Sequence, residues 1–280
     1  QWGFVDFNRP MVAINQWEQA ADSMYTLCGK DRIHPSTDGH LVMAYLFLKA
    51  QGLAGKLVAD IRIDGAGKKV TRSDNCRVSD LSVSSDNLTF TYEAKSLPYP
   101  IDTSYYDNEK HTQADALSVI PFMDEMNYEG LSVSGLSDGY YGLTIGGEFI
   151  GRFTARELER GINMALLQNT PQYKQAMKIR QMNEERWLKE RKMREFYWVE
   201  YNLMRKTGML WACDEAAVDT LRKYRPHDIF LQWNGDLWLQ YMHKGIREDC
   251  VNEQQDLVDR IYEQNKPIPL QIEIKKFTDL

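Results

Sequence analysis

No stretch of about 18 or more apolar residues occurs in the chain, so no segment reads as a membrane-spanning helix. Basic charge is not in excess either. Lys and Arg total 34 against 40 Asp and Glu, a formal net charge of -6, which leaves no electrostatic footprint for nucleic acid. Cysteine is sparse: Cys28, Cys76, Cys213 and Cys250 form no C-x-x-C pair and have no His at finger spacing, which argues against structural zinc and permits disulfides without demanding them. Internal repeats and low-complexity tracts are missing. So are an initiator Met, a basic n-region and a signal h-region: "QWGFVDFNRP" runs straight into what reads as a buried strand, as expected of a piece of something longer. What the chain does have is core-forming material. At 280 residues, 43% hydrophobic and 26% charged, it can bury a sizeable core, and one large or two modest domains of a soluble protein are expected.

The apolar run "GFVDF" at residues 3–7 ends near Asn8 and Pro10, the pattern of a buried parallel strand feeding a helix over about 11–27. After a turn, Leu41, Val42, Ala44, Tyr45, Leu46 and Leu48 make a helix apolar on most faces, with Gly52 as its stop. Strand, helix, loop and buried helix form the closing portion of an open α/β sheet, placed at 1–55. The period then changes to two. "ADIRID", "RVSDLSV" and "NLTFTYEA" alternate, the last with Leu88, Phe90, Tyr92 and Ala94 on one face, and hairpins return in "EGLSVSGLSDGYYGLTIGGEFIGRF" with turns at 137–139 and Gly146-Gly147. These strands predict a small antiparallel β-rich unit at 56–153, interrupted by a long excursion from 96 to about 125. From Thr154 the period is helical: "TARE" fits a capping box from Thr154 to Glu157, and "NTP" opens a second helix running to about Lys206. Its apolar stripe includes Tyr173, Met177, Trp187 and Phe196. Further helices near 213–224 and 234–264 and a terminal strand with Leu270, Ile272 and Ile274 complete an α-helical region at 154–280.

The chemistry concentrates in "DRIHPSTDGH". Asp31 lies three residues before His34, so a tight turn can bring the carboxylate onto one imidazole nitrogen and leave the other free. A neutral imidazole so held is the arrangement that deprotonates a hydroxyl nucleophile, because the carboxylate fixes tautomer and orientation and stabilises the imidazolium that forms. Pro35 restricts His34 to extended dihedrals, and Ser36 or Thr37 can cap the next helix.

This stretch, placed after the "GFVDF" strand and its helix, resembles the last block of the SGNH (GDSL-type) hydrolases, D-x-x-H-P followed by G-H and a helix. The resemblance implies that Asp31 is the orienting acid and His34 the general base of a Ser-His-Asp triad, with Gly39 and His40 as structural positions. It covers about the first 52 residues and implies that they are the closing part of an α/β/α three-layer, flavodoxin-like domain. The segment "GLSDGYYGLTIGGEFIGRFTARELERGINMALLQNTP" is also similar to the region following the catalytic block in a bacterial subgroup that carries an extra β unit and a helical tail. The family's nucleophile sits in a Gly-Asp-Ser block, and a Gly and an Asn from two later blocks complete the oxyanion hole. No Gly-Asp-Ser precedes Asp31 here, and Ser23, in an expected helix, and Ser36, two residues past His34, are poor substitutes. Nucleophile and oxyanion donors carry most of the rate in such enzymes, so this chain alone is expected to be close to inert. The resemblance further implies an acyl or acetyl ester substrate, such as an ester of a carbohydrate, no cofactor, and a periplasmic or secreted location. The missing amino-terminal segment is the expected partner. The competing reading is a non-catalytic chain whose β and helical units serve binding or packing.

Other residues invite chemistry less. Asp31, His34, Asp38 and His40 are a conceivable metal set with spacing wrong for one helix face, and a capping Asp38 with a packed His40 explains them more simply. The Lys/Arg-rich helix from 174 to 206 interleaves Glu184, Glu185, Glu190 and Glu195 and reads as a solvated face. Trp187, Trp198, Trp211, Trp233 and Trp238 read as core at helical spacing, whereas Tyr99, Tyr105 and Tyr106 in the long loop are the better sugar-contact candidates. His111, His227 and His243 read as surface or packing residues.

Overall fold

The computed structural model describes residues 3–104 and 111–277. The fold is a mixed α/β arrangement with two sheets and a helical region, in two compact units: residues up to Ala176 together with those from Lys266, and Met177–Asn265. Among the described residues no helix is long and apolar enough to cross a membrane.

The first unit opens with α1 (Asn8–Glu18), which buries no residue, and α2 (Thr37–Ala50), which buries Leu41, Val42 and Tyr45. The "GFVDF" run is not a strand: residues 3–7 have no regular structure and Phe4 is 86% exposed. A strand exists by pairing, and no described strand lies against this segment to complete its ladder. The expected 11–27 helix ends at Glu18, and the chain continues through turns.

The alternating segments do become strands: β1 (Ala59–Asp64), β2 (Lys69–Asp74), β3 (Cys76–Val83) and β4 (Asn87–Ala94). Leu88, Phe90 and Tyr92 are buried as their alternation requires, and Ala94 is half-buried. After the excursion and the short α3 (Phe122–Glu125) come β5 (Glu129–Ser134), β6 (Tyr140–Ile145), β7 (Glu148–Thr154), α4 (Ala155–Arg160) and β8 (Ile162–Asn163). Gly146 and Gly147 both take positive φ in the β6–β7 hairpin, 58° and 83°, which a type I′ turn requires and a β-carbon disfavours. Thr154 and Glu157 form the expected reciprocal capping box.

Two features of pairing differ from the sequence expectation. β1 and β5 are parallel, Ala59 opposite Glu129, inside a region expected to be wholly antiparallel. The chain between them contains β2, β3, β4 and the excursion, ample length for the crossover a parallel pair needs. The terminal strand β9 (Leu270–Lys276), grouped in the sequence reading with the helices, is hydrogen-bonded between β4 and β6. The sheets are therefore β2-β1-β5-β8 and β3-β4-β9-β6-β7. Apolar side chains of both, among them Ile61, Ile63, Phe90, Leu131, Leu143, Ile145 and Ile272, form one buried cluster.

A second cluster of the same unit is built differently. Leu27, Leu41, Val42 and Tyr45 pack with Ile101, Ala116, Ile120, Phe122 and Met123, so the apolar face of α2 is covered by the 96–128 excursion. Asn127 ties that excursion down, accepting from Tyr99 N–H at 2.8 Å and donating to Tyr99 C=O at 2.9 Å. Tyr45 O–H (2.7 Å) and Lys49 Nζ (2.8 Å) both donate to Glu125 Oε2, latching α2 to α3.

The long helix α5 (Pro171–Val199) starts in the first unit, and from Met177 it belongs to the second, where it continues as a π-helical turn, Glu200–Met204, and is followed by α6 (Glu215–Tyr224), α7 (Ile229–Tyr241) and α8 (Lys244–Gln264). Asp214 and Asp228 cap α6 and α7. The helix expected over 234–264 is two helices, broken at Met242 and His243. Trp238 is fully buried and donates Nε1–H to the buried Glu200 carboxylate at 2.8 Å, whereas Trp187, Trp211 and Trp233 are exposed rather than core. Trp187 lies on the highly charged α5, Trp211 in the turn before α6 and Trp233 on α7, and ring size alone does not say whether an aromatic in such places is buried.

Ile272 is fully buried opposite Phe90 on one side and Ile145 on the other. Ile272→Ala removes the centre of that contact, and the expected loss is about 2–5 kcal/mol in urea unfolding. A loss below about 1 kcal/mol would contradict this placement of β9.

Candidate functional site

The site begins with a turn that the backbone closes on itself. Gly29 N–H donates to His34 C=O at 2.8 Å and Ser36 N–H to Leu27 C=O at 3.0 Å, so Cys28 and Pro35 form an antiparallel bridge around residues 29–34. Arg32 takes φ 61° at the tip. Asp31 works in both directions: Oδ1 accepts the N–H groups of Ile33 (2.9 Å) and His34 (3.1 Å), and Oδ2 lies 2.5 Å from His34 Nδ1. A carboxylate cannot donate, so Nδ1 carries the hydrogen, and Nε2 is the nitrogen left to offer a lone pair in the neutral tautomer. The hydrogen bond from His34, then those of the two backbone amides, hold the Asp31 carboxyl down at about 2. The His34 side chain is 82% exposed, and its neighbour Ile33 is 74% exposed.

Gly39 explains how the turn is anchored. A β-carbon there would stand 2.0 Å from Leu27 C=O, so the segment entering the turn can cross the first turn of α2 only over a glycine. Leu27 is fully buried, and its N–H is held by Asn15 Oδ1 of α1 at 3.0 Å. The expected structural role of Gly39 is thus met. His40, expected to be packed, is exposed, because position 40 falls on the solvent side of α2.

Ser36 occupies the N-cap of α2 with extended dihedrals, yet its hydroxyl does not cap the helix: it donates to Asp38 Oδ1. Asp38 is itself buried, also accepts Gly39 N–H at 2.8 Å, and has His111 Nδ1 3.6 Å from Oδ2. Sequence reasoning gave His111 no partner, and it could not have done otherwise, since the contact spans the whole β1–β4 region. Burial, with Asp38, Glu18 and Asp115 adding, pushes the nearby Tyr25 phenol up to about 12.

The other sequence candidates are dispersed. Ser23 is exposed in a turn rather than a helix, and Ser36 is buried on Asp38; neither hydroxyl bonds to His34. Asp31, His34, Asp38 and His40 do not converge, and among the described residues no group of three His, Cys, Asp or Glu side chains could hold a metal ion. Tyr99 is 39% exposed, its hydroxyl engaged with Gln113, while Tyr105 and Tyr106 lie outside the described residues. His227 and His243 are exposed. All four cysteines are free thiols. Beyond Ile33, the first 55 residues expose Phe4, Trp17 and Met24 at 86%, 81% and 71%, apolar area that this chain leaves to solvent.

Residues 177–266 match the family described as the diltiazem deacetylase C-terminal helical domain, bounds that coincide with the helical unit. A solved structure described as a gut microbial diltiazem-metabolizing enzyme is similar over 99% of this chain, with 42% sequence identity and a TM-score of 0.93. This chain spans 62% of the length of that one. No curated protein matches.

Two outcomes follow from the turn. Gly39→Ala forces Leu27 or α2 to move and is expected to lower the thermal midpoint, the opposite sign to an exposed helical Gly→Ala exchange, which stabilises. Carbon-detected NMR titration of Asp31 is expected to give a pKa near 2, rising toward the ordinary 3.8 in His34→Ala. Because the folded value lies below the unfolded one, the stabilisation is present above about pH 4 and is lost as the pH falls toward 2.

Proposed function

We propose that this chain is part of a serine-type ester hydrolase of the SGNH kind, in which Asp31 orients His34 and His34 is the general base. The observation that carries the reading is the 2.5 Å contact between Asp31 Oδ2 and His34 Nδ1 in a turn that leaves the Nε2 side of the ring exposed. In the complete enzyme a serine Oγ attacks the acyl carbonyl while His34 Nε2 takes its proton. The tetrahedral intermediate collapses, His34 returns the proton to the leaving alcohol, and water repeats the cycle on the acyl-enzyme. Asp31 keeps Nδ1 protonated throughout and offsets the positive charge of the imidazolium. No cofactor enters these steps.

The nucleophile and the oxyanion donors are assigned to sequence outside this chain. Supporting this, no described hydroxyl bonds to His34, the similar solved enzyme is longer, and the exposed Ile33 beside His34, with Phe4 and Trp17 exposed elsewhere in the first 55 residues, offers apolar area for another segment to cover. The substrate proposed is an acyl ester with a small acyl group. The family name attached to the helical unit points to deacetylation, and the similar enzyme is named for metabolising diltiazem. Acetyl esters of carbohydrates belong to the same chemical class.

The test is hydrolysis of p-nitrophenyl acetate, diltiazem and an acetylated sugar by the 280-residue chain and by a longer chain carrying the native upstream residues. The longer chain is expected to be active and the short one inert. In the longer chain His34→Ala should cost several orders of magnitude in kcat and Asp31→Asn about 10⁴-fold, the effect of the wrong tautomer. Activity in the short chain would overturn the split of the site, and full activity in His34→Ala would overturn the role of the turn. Inactivity of every form favours a binding module instead.

A further inference from the structure

Glu129, the first residue of β5, is a completely buried carboxyl with no cation on it among the described residues. Its side chain has two hydrogen bonds, both to the same oxygen. Tyr92 O–H, from β4, donates to Oε1 at 2.8 Å, and Gln172 Nε2, from the first turn of α5, donates to Oε1 at 3.2 Å. Glu129 Oε2 has no partner, and neither does Gln172 Oε1. A carboxylate at this position would leave two buried acceptors without a donor, each at the cost of its lost hydration. One proton answers both vacancies.

We propose that Glu129 is held protonated on Oε2 in the folded protein and donates to Gln172 Oε1, closing a carboxyl–carboxamide ring that clamps the first turn of α5 to β5 and opens when the proton is lost. The groups around it agree with a neutral acid. Burial pushes the Glu129 carboxyl up to about 7, with the Tyr92 and Gln172 hydrogen bonds pulling the other way. Tyr92 is itself driven upward by burial and by Glu129, and the Cys76 thiol of β3 is pushed up to about 11, so both stay protonated. Asp60 of β1 and Asp74 of β2 act on Cys76 together with Glu129; Arg62 and Arg72 pair with Asp60, and Arg72 also with Asp74, and among the described residues no cation pairs with Glu129. The proton is taken from solvent on folding and returned to it when the clamp opens.

The sign follows from linkage. The folded carboxyl titrates near 7 and the unfolded one near 4.5, so between these values the folded state holds the extra proton and stability falls as the pH rises. Glu129→Gln is a permanent copy of the neutral acid, because its amide accepts from Tyr92 and Gln172 through Oε1 and donates to Gln172 Oε1 through Nε2. In thermal unfolding of the 280-residue chain, Glu129→Gln and wild type are expected to melt together at about pH 4.5 and to separate by pH 8, the variant melting higher. Infrared spectra of the wild type should show a protonated-carboxyl band, missing in Glu129→Gln, that titrates away near neutral pH. Tyr92→Phe removes a donor that favours the carboxylate and should carry the disappearance of that band to higher pH. Parallel melting profiles from pH 4.5 to 8, or a wild type without a protonated-carboxyl band above pH 5, would overturn the proposal. Should Glu129→Gln fail to fold, the infrared titration of wild type against Tyr92→Phe decides the matter alone.

Discussion

The five-stranded sheet is held together by the strand that comes after the helical unit in sequence. β9 hydrogen-bonds to β4 on one side and β6 on the other, and without it the β3–β4 and β6–β7 hairpins share no ladder. Its alternation puts Leu270, Ile272 and Ile274 into the apolar cluster of both sheets. Because β9 follows α8 in sequence, the helical unit is an excursion between two parts of the sheet-bearing unit rather than an appendage to it. Formation of this core therefore has to await contacts of long sequence separation, which carry a larger loop-closure cost than the hairpins do.

The turn bearing Asp31 and His34 is rigid for local and distant reasons together. Locally, Asp31 accepts three donors within three residues and the bridge between Cys28 and Pro35 closes the loop. At a distance, α2 is the platform, and α2 is itself supported by the 96–128 excursion and by the Tyr45–Lys49–Glu125 latch. A segment that reads as an irregular loop thus does the work of a layer. In the proposed enzyme the exposure of His34 beside Ile33 presents the imidazole outward.

The helical unit and the sheet-bearing unit handle buried acids in different ways. Glu200 in the π-helical turn accepts Trp238 Nε1–H and Trp211 N–H, one donor for each oxygen. Glu129 receives both of its donors on one oxygen, and the other is left for a proton. A buried carboxyl with donors on a single oxygen only is driven toward the neutral form.

What the sequence determined by itself is what depends on near neighbours. The alternation of Leu88, Phe90 and Tyr92, the Gly146-Gly147 hairpin, the Thr154–Glu157 capping box and the contact of Asp31 with His34 all involve residues within a few positions of one another, so side-chain period and turn chemistry suffice to read them. The tertiary structure decided everything that needs a partner from elsewhere. "GFVDF" has strand composition and no strand to pair with, β1 runs parallel to β5, β9 joins the sheet rather than the helices, and Glu129 meets Tyr92 and Gln172 across 37 and 43 positions. Periodicity states which face of an element is apolar; which surface covers that face is settled only when the whole chain has closed.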